Sequence, residues 1–220
     1  MINKILSILY KDFKIEISQS HLFFSVGLYV ISSIYIIYIS YQPTGILSSE
    51  HWISIFWVII LFSSISAVSK SFFQESGNRN YYYYYVLSAD ELIISKLIYN
   101  FLFIVFVTLL TFVFFTFFLG NFIISYSFFL LLLLIGSLSI SNCLTLISAI
   151  GHQVKNNSIL ISILSFPVII PILILLIKLS KIASSEFSWN LVQTDIYLLI
   201  LLNIILIALT KILFNFLWRN

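Results

Sequence analysis

The chain has 220 residues, of which 61% are hydrophobic and 9% are charged, and its formal net charge is +3. A soluble domain carries about 25% charged residues, so this composition excludes an ordinary water-soluble fold. The small net charge gives no indication of a nucleic-acid partner. Apolar runs long enough to cross a bilayer, which takes roughly 20 residues, recur along the chain. The sequence therefore predicts one all-α, polytopic membrane domain over residues 1–220.

Residues 1–20 predict an amphipathic helix that lies in the membrane interface. Apolar residues recur there at helical spacing, whereas Lys4, Lys11 and Lys14 lie mostly off the apolar stripe. Such a helix turns its basic face toward anionic lipid headgroups. Two interpretations stay open, namely an orienting anchor and an elbow helix that touches a cytoplasmic partner.

Six apolar runs follow, bounded by polar residues or helix breakers. They predict transmembrane helices at about residues 22–41, 52–68, 96–119, 128–150, 159–177 and 196–218. Trp52 and Trp57, near one end of the second run, fit an interfacial aromatic belt. A loop is expected between the fifth and sixth runs, from Ser180 to Thr194.

The third transmembrane helix is preceded by a helix-capping sequence. Ser88 and Glu91 have the spacing of a capping box, in which each side chain accepts a hydrogen bond from the backbone amide of the other residue. Asp90 and Glu91 also suit the positive end of the helix dipole. We therefore expect the helix to start near Ala89 and to run in the interface as far as about Lys96.

The distribution of Lys and Arg predicts the orientation of the chain. If the N-terminus is cytoplasmic, nine of the 11 Lys and Arg residues fall on the inside and two fall on the outside. This positive-inside bias predicts that both termini are cytoplasmic. Lys178 and Lys181 are the two exceptions, and their long side chains can snorkel toward the outer headgroups.

The sequence carries no constellation typical of an enzyme. The six glycines are too far apart for a phosphate-binding loop. His21, His51 and His152 are isolated from one another, and Cys143 alone makes neither an intrachain disulfide nor a metal site. The span cores carry essentially no ionisable residues, which argues against a proton-coupled pump or an ion channel. We therefore expect no catalytic or metal-ligating residues, and energy for any transport should come from outside the chain.

The long polar interruption between the second and third spans is the first candidate for function. It presents aromatic and charged residues of the types enriched at protein interfaces. We interpret it as a cytoplasmic coupling segment that docks a soluble partner, and the alternative is a solvated loop with its tyrosines in the headgroups. The candidate docking residues are Phe73, Glu75, Arg79, Tyr81, Tyr82, Tyr83, Tyr84, Tyr85, Asp90 and Glu91.

A pair of prolines in the fifth span is the second candidate. Pro167 and Pro171 each remove one helical hydrogen bond, and Pro171 disturbs the carbonyl of Pro167, so the two defects adjoin. Membrane helices tolerate such defects where neighbouring groups satisfy the freed carbonyls, and Ser162 or Ser165 could do so. A hinge used in transport and a static kink are both open interpretations.

Four short motifs, spread over nearly the whole chain, carry a family resemblance. They are a K-D-x-x-x-E opening from Lys11 to Glu16, an F-x-x-[DE]-x-x-x-G-like loop from Phe72 to Asn80, an L-[SP]-x-x-x-x-[IL]-x-x-K step from Leu87 to Lys96, and an [FL]-P-x-x-I-P motif from Phe166 to Pro171. The loop departs from the pattern, since Asn80 stands near the position where a glycine is expected. Together the motifs resemble the CcmB family, also called cytochrome c maturation protein B or haem exporter protein B, which are six-span permease subunits of an ABC-type transporter.

The resemblance implies a role in haem delivery for c-type cytochrome biogenesis, by haem export or by ATP-driven release of a haem-loaded chaperone. It implies three partners, namely a cytoplasmic ATP-binding subunit that hydrolyses the ATP, a haem-handling membrane protein and a periplasmic haem chaperone. It also implies the bacterial inner membrane as location and a homo-oligomer within the complex. Haem would be a transported or handled ligand, with no cofactor bound by this chain alone. The alternatives are another small ABC exporter permease and a membrane scaffold without transport.

Overall fold

The computed structural model of the protein describes residues 2–18, 21–42, 47–73, 88–151, 157–185 and 188–217. Within these ranges the chain forms seven helices and no strand. In chain order the helices are α1 (Ile2–Ser18), α2 (His21–Tyr41), α3 (Ser49–Phe73), α4 (Ala89–Leu119), α5 (Tyr126–Gly151), α6 (Asn157–Ala183) and α7 (Trp189–Leu217). The predicted all-α architecture is confirmed.

Six of the described helices, α2 to α7, are long and apolar enough to cross a bilayer. The candidate spans are Phe24–Tyr41, Ser49–Val68, Ala89–Leu119, Tyr126–Gly151, Ile163–Ala183 and Trp189–Phe216. The predicted number of transmembrane helices is therefore confirmed for the described part of the chain. The position of α1 in the membrane interface stays a prediction.

α5 lies at the centre of the bundle and packs against α3, α4, α6 and α7. Every residue of α5 from Ser139 to Ala149 is buried. In contrast, α2 lies at the periphery, packs mainly on α3 and α4, and leaves much of its apolar surface exposed. Exposed apolar residues on a spanning helix suit contact with lipid acyl chains, so the arrangement separates a central helix from lipid-facing ones.

Gly136 allows α5 to approach α3 closely. A Cβ atom on Gly136 would lie 2.5 Å from Cη2 of Trp57, so a larger residue requires the indole to move. Small residues at helix crossings are a common means of close packing in membranes. Trp57 in turn donates a hydrogen bond from Nε1 to Ser180 Oγ at 2.9 Å, which joins α3 to α6.

Trp52 and Trp57 do not form the predicted interfacial belt. Both side chains are fully buried, and both pack against the ring of Phe56 in the core. Trp52 Nε1 donates to the carbonyl of Gly120 at 3.1 Å, at the end of α4, where Gly120 adopts a φ of 76°. The prediction was wrong because each indole N–H finds its acceptor on another helix or helix end, which removes the need for an interfacial position.

The bundle has two distinct ends. We call the end where α1, the start of α4 and the last turns of α7 meet the terminal end. At the opposite end, the starts of α3, α5 and α7 meet the last turns of α4 and α6.

The loop predicted from Ser180 to Thr194 is shorter in the structure, because α6 continues to Ala183 and α7 begins at Trp189. Ion pairs between helices hold charged residues in and beside this stretch. Lys178 Nζ lies 2.7 Å from Asp195 Oδ2, and Lys181 Nζ lies 3.3 Å from Glu50 Oε1. The two lysines therefore pair with carboxylates of the protein.

Candidate functional site at the terminal end

The start of α4 follows directly after the predicted docking segment. The hydroxyl of Ser88 accepts a hydrogen bond from the amide of Glu91 at 3.3 Å, and the Glu91 carboxylate accepts one from the amide of Ser88 at 3.1 Å. These two hydrogen bonds form a capping box, which confirms the predicted helix start at Ala89. The capping box fixes the point where the chain leaves the docking segment and enters the bundle.

The two acidic residues at the start of α4 contact two other helices. Lys4 Nζ of α1 lies 3.9 Å from Glu91 Oε2. From α7, Asn215 Nδ2 donates to Asp90 Oδ1 at 3.1 Å, and Lys211 Nζ lies 4.0 Å from the same oxygen. These five residues form what we call the terminal junction, through which the start of α4 is joined to α1 and to α7.

A buried ion pair joins α1 to α4 beyond the terminal junction. Lys96 Nζ lies 3.1 Å from Asp12 Oδ2, and the two side chains are only 3% and 7% exposed. Lys11 Nζ lies 3.0 Å from Asp12 Oδ1. Phe13 packs edge-on against Tyr99, with ring centroids 5.3 Å apart. α1 is therefore bound to α4 by charged as well as by apolar contacts.

The predicted docking residues fall into two groups. Asp90 and Glu91 belong to the terminal junction, so their carboxylates have partners within the chain. Phe73 is the last residue of α3, and its side chain lies outside the described residues. The other predicted docking residues also lie outside the described residues, namely Glu75, Arg79, Tyr81, Tyr82, Tyr83, Tyr84 and Tyr85. The docking surface therefore stays a prediction.

α6 remains helical through Pro167 and Pro171, and both prolines are exposed on the surface of the bundle. The prolines free the carbonyls of Ile163 and Pro167, which lie four residues before them. Ser165 donates its hydroxyl hydrogen to the carbonyl of Ile161 instead. Of the two serines that could satisfy a freed carbonyl, Ser165 therefore does not, and the side chain of Ser162 lies outside the described residues. The hinge and the static kink both stay predictions.

A buried polar seam, which the sequence-based predictions missed, runs along α5. We call it the α5 seam, and it consists of Ser137, Ser139, Asn142 and Thr145 on α5, Asn100 and Thr108 on α4, and Asn203 on α7. Each member is at most 5% exposed, so hydrogen bonds inside the bundle have to replace water as the partner.

The hydrogen bonds of the α5 seam connect three helices. Asn142 Nδ2 donates to Asn203 Oδ1 at 2.8 Å, and Asn203 Nδ2 donates to Ser139 Oγ at 2.7 Å. On the other side of α5, Asn100 Nδ2 donates to Thr145 Oγ1 at 2.9 Å. Three asparagines inside apolar runs were the available sequence signal, but a search for ionisable residues alone passes over them.

In the part of the chain that the structure describes, the histidines and the cysteine form no cluster of metal ligands. Among those residues, no three or more His, Cys, Asp and Glu side chains are placed to hold a metal ion. His51 Nδ1 lies 2.7 Å from Ser48 Oγ, and Cys143 is buried in α5. The terminal junction, the Asp12–Lys96 pair and the α5 seam are thus the polar features on which a function can be argued.

Six apolar helices, with α5 at their centre and a capped helix start after the longest polar segment, define a multi-pass α-helical membrane protein. The family model described as CcmB protein matches residues 3–216, and the chain belongs to the CcmB family. The family resemblance of the sequence motifs is thereby confirmed. No curated protein and no solved structure matches the chain.

Membership of the CcmB family gives the chain a coarse function. It is a permease subunit of an ABC transporter system involved in haem export for cytochrome c biogenesis, and it is not itself a catalytic enzyme. The system implies an ATP-binding partner for this chain. The ion pairs and hydrogen bonds of the terminal end therefore belong to a permease.

Proposed function

We propose that this chain is the permease of an ABC transporter in the bacterial inner membrane, and that a cytoplasmic ATP-binding subunit docks on the polar segment between α3 and α4. The observation that carries the proposal is the CcmB family match over residues 3–216. ATP is hydrolysed in the separate subunit. The complex supplies haem for attachment to c-type cytochromes, either by exporting haem or by releasing a haem-loaded chaperone.

The terminal junction supports docking at this segment. The segment leaves α3 at Phe73 and enters α4 at the capping box of Ser88. Because Asp90 and Glu91 contact α7 and α1, a displacement of the start of α4 acts on three helices. Packed side chains and ion pairs of this kind can carry coupling between a soluble subunit and a membrane bundle. In this proposal Asp90 and Glu91 serve docking by holding the segment in position.

The terminal end faces the cytoplasm in this proposal. With that orientation, nine of the 11 Lys and Arg residues lie on the cytoplasmic side, as the positive-inside rule requires. Lys178 and Lys181 lie at the opposite end, where Asp195 and Glu50 pair with them. The same orientation places the docking segment in the compartment that contains ATP.

The other proposed partners are a second copy of this chain, a haem-handling membrane protein and a periplasmic haem chaperone. α2, α6 and α7 expose many apolar side chains, and this surface suits lipid and membrane-embedded partners. The chaperone would reach the complex from the periplasm, at the opposite end of the bundle. Haem is a substrate of the complex in this proposal.

Deletion of the gene tests the function directly. The deletion strain should lose its c-type cytochromes, and the wild-type gene should restore them. Haem staining of membrane proteins after gel electrophoresis measures both, because haem in c-type cytochromes is covalently attached. Normal c-type cytochromes in the deletion strain would contradict the proposal and favour another exporter or a scaffold.

Co-purification tests the docking segment. Glu75→Lys, and separately the replacement of residues 81–85 by Ser, should weaken co-purification of the ATP-binding subunit while the chain still inserts into the membrane. Glu50→Lys at the opposite end is the matched charge reversal, and Tyr197→Ser on exposed α7 surface is the matched aromatic change. Unchanged co-purification in both docking variants would rule out the segment as the docking surface.

A further inference from the structure

α1 is positioned mainly by α4. It packs along α4 and touches α2 much less, and its buried residues Ile5, Ile8 and Asp12 lie on one face. On the other faces, Leu6 is 57% exposed and Tyr10 is 71% exposed, so the rest of the described chain leaves these side chains uncovered. The orientation of α1 is therefore decided by its contacts with a single helix.

The burial of Asp12 and Lys96 is not explained by stability alone. Two charges lose their hydration when they are buried, and an apolar pair of similar volume often holds a protein together as well or better. A buried charged pair can fix the register of two helices, because a slide or rotation that separates its two groups leaves a buried charge without its partner. The contact of Lys4 with Glu91 supports the same register of α1 on α4.

The start of α4 lies beside α1 and the last turns of α7 at the terminal end. α4 has 31 residues, which corresponds to ~46 Å of helix, whereas a hydrocarbon core is about 30 Å thick. α5 follows after the short connection 120–125 at the opposite end and has only 26 residues. Leu92 and Ile93 pack with Ala149 of α5 and Phe214 of α7, so the stretch from Asp90 to Lys96, which links the docking segment to the rest of α4, lies beside α5 and α7. α1 is bound to this linking stretch.

We propose that Asp12 and Lys96 are positioning residues for transport, which hold α1 in one register on the start of α4 so that the two helices move as a unit. The proposal rests on the proposed function, because the movement starts when the ATP-binding subunit acts on the docking segment. Of the two interpretations of α1, the pair supports the elbow helix rather than a passive anchor. The pair keeps α1 in a fixed position on α4 when α4 moves. Neither side chain has to touch haem or ATP.

Three double variants of the full transporter complex test this role in the deletion strain. Asp12→Lys with Lys96→Asp exchanges the two charges, and Asp12→Leu with Lys96→Met replaces them by apolar groups. Glu50→Leu with Lys181→Met makes the same chemical change in an exposed pair at the opposite end. The measurements are the amount of chain in the membrane, co-purification of the ATP-binding subunit, ATP hydrolysis and the yield of c-type cytochromes.

The apolar variant should insert normally, retain the ATP-binding subunit and hydrolyse ATP, while the yield of c-type cytochromes falls at least about tenfold. The exchanged pair should restore the yield to within about threefold of wild type, because the register is again specified by opposite charges. The control variant at Glu50 and Lys181 should match wild type.

A normal yield of c-type cytochromes in the apolar variant would overturn the inference, because the pair would then contribute only packing. Loss of the chain from the membrane in both Asp12–Lys96 variants would also overturn it, since the pair would then be required for folding. A variant with exchanged charges that inserts into the membrane but yields no c-type cytochromes would overturn it as well. Failure of the proposed function is seen separately, as normal c-type cytochromes in the deletion strain without any variant.

Discussion

Lys178 of α6 and Asp195 of α7 form an ion pair at the opposite end of the bundle, with Nζ 2.7 Å from Oδ2 and 3.0 Å from Oδ1. The Asp195 side chain is only 8% exposed, whereas that of Lys178 is 60% exposed. One turn along α6, Lys181 pairs with Glu50, and both of these side chains are exposed. The same helix thus carries one ion pair with a buried carboxylate and one on the surface.

Removal of Lys178 should destabilise the protein more than removal of Lys181. Lys178→Met leaves the buried Asp195 carboxylate without its cation, which should lower the free energy of unfolding by about 1–2 kcal/mol. Lys181→Met leaves an exposed carboxylate that water hydrates, and the expected loss is below about 0.5 kcal/mol. Thermal unfolding of the purified chain in detergent measures both variants. Equal shifts would show that Asp195 is solvated without its partner.

Gly136→Ala should destabilise the contact between α3 and α5. The new methyl group would lie 2.5 Å from Trp57 Cη2, and overpacking of this kind costs about 1–3 kcal/mol. Gly27→Ala on α2 is the matched control, because nothing lies within 4 Å of a Cβ there. The control should be neutral or should stabilise the helix by about 0.5–1 kcal/mol. If Gly136→Ala behaves like Gly27→Ala in thermal unfolding, the close approach of the two helices is not present in solution.

Asn203→Ala should loosen the α5 seam, because Asn142 and Ser139 both lose their partner on α7. Hydrogen bonds between transmembrane helices contribute about 0.6 kcal/mol on average and up to about 1.7 kcal/mol, so a loss of about 1–2 kcal/mol is expected. Asn190→Ala on the exposed start of α7 is the control and should have no effect. In the double variant Asn142→Ala with Asn203→Ala, the loss in the free energy of unfolding should be smaller than the sum of the losses in the two single variants. Additive losses would show that the two amides do not interact.

Much of the fold follows from the sequence, because bilayer thickness and hydropathy decide where long helices can lie. The start of α4 was also predictable, since Ser88 and Glu91 satisfy each other within one turn and require no other helix. The same is not true of Trp52 and Trp57, whose acceptors are Gly120 and Ser180. Sequence patterns do not show contacts between residues that are distant in sequence.

The polar features of the candidate site illustrate the same limit. The sequence places Asp12 and Lys96 in separate motifs, and nothing in their spacing indicates that they meet. Asn142 and Asn203 are each only an isolated polar residue in an apolar run, and their contact appears once α5 and α7 are packed. A single sequence gives residue types and local periodicity, whereas register between helices depends on how side chains fill the space between them.

The topology of the chain can be measured with reporter fusions. Fusions after Asn220 and near Glu50 should report opposite sides of the membrane, because five candidate spans separate the two positions. The fusion after Asn220 should be cytoplasmic, as the nine-to-two distribution of Lys and Arg predicts. An alkaline phosphatase fusion marks the periplasm, and a green fluorescent protein fusion marks the cytoplasm. The same side for both positions would contradict the six-span topology.

The prolines of α6 provide a test of the hinge. Pro167→Ala with Pro171→Ala restores two backbone amides, and an interior proline costs a soluble helix about 3 kcal/mol relative to alanine. The double variant should therefore straighten α6 and preserve or raise the melting temperature. If bending at these positions is used in transport, the yield of c-type cytochromes should nevertheless fall. Thermal unfolding and haem staining of the same preparations measure the two effects.

The control for this variant has to change exposed residues of α6 without restoring a hydrogen bond. Ile163→Ala with Val168→Ala meets that condition, since both side chains are exposed and both backbone amides are already present. This control should mature cytochromes at the wild-type rate, because it leaves the two adjoining backbone defects in place. A loss in the control as large as that in the proline variant would assign the effect to the exposed surface of α6 rather than to bending. Normal maturation in the proline variant would identify Pro167 and Pro171 as a static kink, because a straightened α6 would then support the full activity.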